Sequence, residues 1–363
     1  MNLIPAMSPQ FSRKPGQKKR FRLLRVDLFL LMLMVLSSAL MLRLHGIDGS
    51  TEQGSSCSAG GPFQAVAETE NESTYSTITR QQVAEMPRTG PPVRFLMLNV
   101  GNYFVAGEKQ RSRYTIQPKS EKARDAVAEV IASVKPELVG LIEIGGPLAL
   151  EDLKERLRAS GLDYPHSKVL VRGGEDRALA LLSIHPIVQD ASRANYGLYG
   201  QQRRRMLRGI LDITCRLSDG RMFRIIGAHL KSRVGADFAA TASLREREAH
   251  TLAGYIHAIM QEQPELPVLV YGDWNDDPGD TSVRLLQQGT GNISSLNRLR
   301  PVDSRGEEWT LYYRRGNTYH TFDQIFVNKP LKKRLKRGDE SGVVDIPAAQ
   351  QASDHRAVWC ELR

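Results

Sequence analysis

Val268-Leu269-Val270-Tyr271-Gly272-Asp273-Trp274-Asn275-Asp276-Asp277-Pro278 is the stretch on which the reading of this chain turns. Its apolar start fits a buried strand, and the run stops at Gly272, Asp273, Trp274 and Asn275. A carboxylate and a carboxamide two residues apart, at the mouth of a buried strand, add nothing to a core. They suit a phosphate and a metal ion, because glycine lets the backbone come close and alternate side chains of a persisting strand point the same way. The competing reading is a strand-ending Asx turn, which Asn and Asp favour. The stretch alone does not separate the two.

The 363 residues suffice for one large domain or two ordinary ones, and 41% hydrophobic with 25% charged residues describes a globular chain. The net charge of +10 is unevenly placed: residues 1–45 sum to +7 and residues 46–90 to −4, leaving +7 on the rest. A mildly basic body is compatible with a polyanionic substrate.

Ahead of that body, Leu28 to Leu42 holds fifteen residues without a charge, against the roughly 20 of a comfortable membrane span. Extension to Val26 and Leu44 takes in Asp27 and Arg43, both near enough to an end to snorkel. The basic leader, residues 1–25, predicts that the amino terminus stays in the cytoplasm while the body is exported. Residues 26–44 read as an uncleaved transmembrane anchor, or as a signal peptide cleaved near Ser37-Ser38-Ala39. Both readings place the body outside the cytoplasm, periplasmic or extracellular. Residues 45–92, rich in Gly, Ser, Thr and Glu, read as a flexible linker, and 93–363 as the folded domain. Cys215 and Cys360 lie in apolar-alternating runs and read as core thiols, Cys57 falls in the linker, and no zinc spacing is present.

Within the body, Val93 to Val100 is a strand ending near Asn99. Ser120 caps a helix carrying Val127, Val130, Ile131 and Val134 at helical spacing. Leu138 to Ile144 is an apolar strand interrupted only by Glu143, and Leu148 to Leu157 is helical. Arg177 to Ile184, Ile210 to Leu217 and Met222 to Leu230 are further strands. A long helix spans about Thr241 to Met260, and Thr321 to Val327 and Ala357 to Leu362 complete the series. Helix–strand alternation mixed with consecutive strands predicts two sheets covered by helices.

Five of these runs carry an acidic, amide or imidazole group within or just beyond them: Asn99, Glu143, His229, Asp273 with Asn275, and Asp323. Ser353-Asp354-His355 precedes the last. A charged carboxylate in a buried strand costs several kcal/mol unless it meets a metal or a hydrogen-bonded partner. Each group alone reads as readily as a satisfied structural residue; one shared site explains all six together.

The ordered runs L-N-V-G-N-Y-F, L-I-E-I, G-A-H-L-K-S, Y-G-D-W-N-D, F-D-Q-I-F-V and S-D-H-R-A-V resemble the endonuclease/exonuclease/phosphatase superfamily of deoxyribonuclease I-like metal-dependent phosphohydrolases. They span about Arg94 to Glu361, nearly the whole body. The resemblance implies an α/β fold, a four-layer sandwich of two mixed sheets packed face to face with helices outside, and hydrolysis of phosphate esters with Mg²⁺ or Mn²⁺. It implies Glu143 as principal metal ligand with Asn99 and Asp354, and His355, oriented by Asp323, as the base for the attacking water. It implies Asp273 and Asn275 as contacts to the scissile phosphate or a second metal. It implies His229 as the group that stabilises developing charge or protonates the leaving oxygen, with Glu175 or Asp176 as the candidate carboxylate behind it. One or two carboxylates plus waters suit Mg²⁺, and an imidazole on each side of the phosphate suits in-line displacement. Trp274 stands where the family commonly has Phe, and Ala357 where it has Pro. Abasic-site endonucleases lack a histidine at the position of His229, which argues against that activity.

For substrate, Lys231 is placed to meet a phosphate. Arg203-Arg204-Arg205 with Arg208 reads equally as a phosphate contact or a solvated loop. The basic run from Lys329 to Arg337 reads as a solvated surface. No phosphate-cradling glycine loop and no aromatic array for single strands stands out. The expected function is a membrane-tethered exported nuclease of DNA or RNA. A phospholipid or sphingomyelin phosphodiesterase, a phosphomonoesterase and a non-catalytic surface-binding protein are the alternatives. Nucleic acid and membrane are the expected partners; nothing points to a protein partner.

Overall fold

The protein is described here by a computed structural model over residues 77–235, 237–288, 296–335 and 340–363. The basic leader, the apolar segment and most of the expected linker lie outside the described residues. No helix among the described residues is long and apolar enough to cross a membrane.

Strands follow in the order β1 (Val93–Tyr103), β2 (Leu138–Ile144), β3 (His166–Arg172), β4 (Glu175–Ser183), β5 (Ile187–Asp190), β6 (Gly197–Leu198), β7 (Gln201–Arg205), β8 (Leu211–Arg216) and β9 (Met222–His229). They continue with β10 (Val268–Asp273), β11 (Asn297–Arg298), β12 (Leu311–Tyr313), β13 (Thr318–His320), β14 (Asp323–Val327), β15 (Ser341–Val343) and β16 (Val358–Leu362). One six-stranded sheet runs β15-β16-β1-β2-β4-β3 and the other β11-β14-β10-β9-β8-β5. Each is mixed: β1–β2 and β9–β10 are parallel, the other pairings antiparallel.

Alternation along the strands builds the layers. Phe95, Met97 and Leu181 of the first sheet meet Ile213, Ile225, Leu269 and Ile325 of the second in a core between the sheets. The opposite residues, Leu96, Leu98, Val139 and Leu141, pack under the helices Glu121–Val134 and Pro147–Ala159. Ile226, Val268, Val270 and Phe326 pack under the helices Phe238–Glu262 and Thr281–Gln288. Strands covered on both faces are apolar throughout, which is why β10 reads as a continuous run. The result is the expected four-layer α/β sandwich of two mixed sheets. Cys215 and Cys360 are buried free thiols in its central core.

Tyr271 joins the sheets. Its hydroxyl crosses from β10 to donate to the Ala180 carbonyl of β4 at 3.0 Å. Its ring fills the space left by two glycines: a Cβ on Gly140 would stand 2.5 Å from the ring and one on Gly227 2.6 Å. The expected result for Gly140→Ala is a loss of about 1–3 kcal/mol from overpacking, seen as a lower thermal midpoint. An unchanged midpoint would contradict the wedge.

The linker ends earlier than expected. Ile78, Val83 and Met86 are buried against Met222 and Leu266, around a helix, Arg80–Glu85, that opens with a Thr79–Gln82 capping box. Three apolar side chains at 78, 83 and 86 suffice to anchor a segment whose other residues are polar, small or proline. Residues 78–92 therefore belong to the folded body. The basic run, by contrast, starts beyond Val327, at the opposite end of β14 from Asp323, and Lys332 and Lys333 are exposed on a helix, Lys329–Arg334.

Candidate active site

Strand register assembles the second sheet's share of the site. Asp273 at the end of β10 pairs with His229 at the end of β9 and with Asp323 at the start of β14. Three polar groups thus stand in one row across three adjacent strands, at the edge of an apolar core. All three are buried.

The first sheet supplies the facing groups through broken strand geometry. On β2, Leu138 and Ile142 face the inter-sheet core, whereas Leu141 and Ile144 face the helices. The register shifts between Ile142 and Ile144, so Glu143 is the extra residue of a bulge, with φ 65°. Bulges re-aim side chains, and this one turns the carboxylate out of the ladder toward the second sheet. β1 shifts likewise between Asn99 and Tyr103, where Gly101 and Asn102 have φ 57° and 53°. The amide N–H of Gly101 donates to Asn99 Oδ1 at 3.0 Å and that of Asn102 to Glu143 Oε2 at 3.1 Å. A Cβ on Gly101 would lie 3.3 Å from Asp354 Oδ1. Asn99, Glu143 and Asp354 therefore ring one two-residue loop.

Three contacts close the mouth between the sheets. Asn99 Nδ2 donates to Asp273 Oδ2 at 3.0 Å, His355 Nδ1 and Asp323 Oδ2 are 2.7 Å apart, and His229 Nε2 lies 3.9 Å from Glu143 Oε1. His229 Nε2 is also 3.5 Å from Asp273 Oδ2, and His355 Nε2 3.9 Å from the same oxygen. Two imidazoles thus flank one carboxylate. Asp273 also accepts the amide N–H of Asn275 at 2.9 Å, and Asn275 has φ 52°. The strand does not persist to Asn275; the Asx turn and the site are one structure. Asn275 donates an amide hydrogen to the Leu230 carbonyl at 3.1 Å, which fixes its side chain beside His229.

The two imidazoles sit in opposite fields. Burial pushes His229 well below the ordinary histidine value, and the cations of Arg208, Arg177 and Lys231 push the same way. Burial acts downward on His355 too, but the carboxylates of Asp323, Asp273 and Asp354 outweigh it and raise the group well above that value. Burial also pushes the Asp273 carboxyl up. Among the described residues His229 Nδ1 has no hydrogen-bond partner. A buried N–H without an acceptor is rarer than an unused acceptor, which favours the neutral tautomer with its proton on Nε2, facing the carboxylates.

A hard divalent cation fits this donor set. Glu143 spends Oε2 on the Asn102 amide while Oε1 faces the mouth, and Asp354 is exposed at the rim. Asn99 Oδ1 keeps a second lone pair, and Mg²⁺ favours carboxylate and carbonyl oxygens with several waters. Asp273, Asp323 and His355 also lie close enough together to hold an ion, but His355 Nδ1 and Asp323 Oδ2 are already bonded to each other.

Two sequence expectations are corrected. Lys231 turns its ammonium onto the carbonyls of Ser232 and Val234, at 3.0 and 2.7 Å, rather than into the mouth. Asp176 accepts from the amides of Arg111 and Ser112 and orders that loop, while Glu175 binds Arg208 at 3.3 Å; neither carboxylate supports His229. Residues with no strand-end signal complete the wall. Arg177 is 3.6 Å from Glu143, Arg208 donates to Leu230 O, and Lys119 donates to Gly101 O at 3.0 Å. Fully buried Glu248 accepts the amides of Leu207 and Lys231, at 2.8 and 2.7 Å. Its helical position, four residues from both Leu244 and Leu252 on the inward stripe, was the available signal.

The model of the Endonuclease/Exonuclease/phosphatase family matches residues 99–344. Human Nocturnin is 24% identical over 295 residues, covering 77% of this chain and 67% of its own. Among solved structures, the sulfate-bound catalytic domain of human Nocturnin is similar with a TM-score of 0.53 and 16% identity, over 80% of this chain and 97% of that one. TDP2 of Caenorhabditis elegans gives 0.50 and 14% over 75% and 97%, and a beta toxin of Staphylococcus aureus 0.52 and 15% over 74% and 99%. At these identities the structural likenesses show the fold.

Proposed function

The chain belongs to the endonuclease/exonuclease/phosphatase family of phosphoester hydrolases, and from that premise we propose that it is a divalent-metal-dependent phosphodiesterase cleaving nucleic acid outside the cytoplasm. The observation that carries the reading is the 2.7 Å Asp323–His355 pair, set beside Asp273 and across the inter-sheet mouth from Glu143.

In this reading Asp323 holds the Nδ1 proton of His355. Nε2, in the fraction of molecules that the surrounding carboxylates leave neutral, takes a proton from water as it attacks phosphorus, so turnover should rise with pH through the raised histidine value. Attack is in line, with the leaving oxygen opposite the water. His229 donates a hydrogen bond from Nε2 to a phosphate oxygen; pushed toward the neutral form, it stabilises charge rather than supplying a full proton. The P–O bond therefore breaks with its electron pair on the leaving oxygen, which takes a proton from solvent water. The second amide hydrogen of Asn275 reaches the same phosphate, and Asp273 orients the group between the imidazoles. Glu143, Asn99 and Asp354 would hold Mg²⁺ or Mn²⁺, which neutralises the charge gathering on the phosphate. Arg177 and Arg208 add fixed positive charge to that wall.

Location follows from the amino-terminal sequence. The basic leader and the apolar run at 26–44 support a membrane tether with the body exported. Protease added to intact cells should then digest the body, and a protected body would overturn the topology.

The substrate test uses the full-length chain with plasmid DNA, RNA, sphingomyelin and an inositol phosphate, each with Mg²⁺ and with EDTA. The expected result is EDTA-sensitive cleavage of DNA or RNA. Turnover confined to sphingomyelin or the inositol phosphate would move the substrate, and no EDTA-sensitive turnover on any of the four would overturn the reading.

A further inference from the structure

Trp309, Tyr312 and Tyr319 are scattered over eleven residues and form no array in the sequence. The β12–β13 hairpin gathers them. Tyr312 and Tyr319 are direct cross-strand partners, and their rings stack with centroids 4.9 Å apart and planes 27° apart. Trp309 packs against Tyr319 at 4.9 Å. The Arg356 guanidinium lies 4.0 Å from the Trp309 ring centroid, anchored by Asp303 at 2.9 Å and by its own amide on Thr310 O at 2.7 Å. Arg356 follows His355, and Leu311 of the hairpin bridges His355 directly.

A run of rings, with Trp309 tilted 58° against Tyr319 and Tyr319 stacked on Tyr312, thus begins one residue from the proposed base and runs outward to solvent. None of its rings belongs to a hydrophobic core cluster, and Tyr319 is 58% exposed. Burial does not explain it. We infer that the Trp309–Tyr319–Tyr312 cluster is a platform on which the bases of a single-stranded nucleic acid stack beside the scissile phosphate.

The inference rests on the nuclease reading for its substrate and names the form that substrate takes. An unpaired base offers a free face to an aromatic ring, whereas bases inside a duplex have both faces covered. The hairpin turn supports the same partner: Arg314 and Arg315 are exposed at its tip, where backbone phosphates would lie. A hairpin built to enter a membrane would carry apolar residues there instead of Arg-Arg-Gly-Asn.

The test is fluorescence anisotropy of a labelled single-stranded oligonucleotide with the full-length chain in EDTA, which separates binding from hydrolysis. Tyr319→Ala and Tyr312→Ala should each weaken binding about tenfold, the scale of one lost base stack. The Tyr→Phe variants should bind as wild type, and the matched duplex should bind less tightly. Alanine variants that bind normally, phenylalanine variants as weak as alanine, a duplex preference, or a loss seen only with phosphatidylglycerol vesicles would each overturn the platform. Turnover of methyl p-nitrophenyl phosphate, measured in parallel, reports on the hydrolytic site alone. Turnover without oligonucleotide binding sinks the platform and leaves the hydrolase; tyrosine-dependent binding without turnover does the reverse.

Discussion

His355→Ala is expected to lower kcat by about 10²- to 10⁴-fold, the usual contribution of a positioned general base, with KM little changed. The imidazole is the group whose Nε2 faces Asp273 at 3.9 Å while Nδ1 is tied to Asp323 at 2.7 Å. Removing it leaves water with nothing to take its proton, but leaves Asn275 and His229 to bind the phosphate and Glu143 to serve the metal. Truncation also strands the buried Asp323 carboxylate, so His355→Gln, which keeps a polar group of similar size, separates lost chemistry from lost packing. Asp323→Asn should fall nearly as far: an amide accepts through one oxygen only and no longer favours the imidazolium. Steady-state kinetics with thermal midpoints decides, and a His355→Gln enzyme within threefold of wild type would refute the assignment.

Glu143→Gln is expected to reduce turnover by roughly 10²- to 10⁴-fold, since a metal supplies several kcal/mol of charge stabilisation in such reactions. Its stability signature has the opposite sign from an ordinary core mutation. Glu143 and Asp273 repel one another, the former adding to the upward push on the latter. Neutralising Glu143 relieves that repulsion, so the metal-free variant should melt at or above the wild-type temperature. Wild type should gain stability on adding Mg²⁺, because a ligand bound only by the folded state stabilises it, and Glu143→Gln should lose that gain. Calorimetry with and without Mg²⁺ reads both signs; an undiminished Mg²⁺ response would remove Glu143 from the metal site.

Much of this site was legible because burying a polar group is expensive. Glu143 in L-V-G-L-I-E-I and Asp273 after V-L-V-Y-G stand out against apolar neighbours, and register alone then sets Asp273 beside His229 and Asp323. The aim of each side chain was not legible. Nothing in the residue string announces a bulge at Glu143 or the left-handed turn at Asn275, and the period-two argument for Asp273 and Asn275 fails at that turn. Lys231 was misread for a related reason: a lysine next to a buried histidine was taken as a ligand contact, while its own loop offered two carbonyls nearer. Arg177 and Lys119 come from a strand start and a loop that carry no apolar contrast, whereas Arg208, which read equally as a phosphate contact or a solvated loop, lies on the wall beside Glu175 and the Leu230 carbonyl. The hairpin aromatics were hidden because cross-strand partners are seven residues apart in sequence.

In the proposed mechanism the mouths of the two sheets form one metal–phosphate pocket, with Glu143 on the metal side and His355 on the water side. Anomalous diffraction from crystals of the protein soaked in Mn²⁺ tests it most directly. The expected result is a peak bonded to Glu143, with Asn99 or Asp354 beside it and His355 free. A principal peak bonded to His355 and Asp323, with nothing at Glu143, would contradict it.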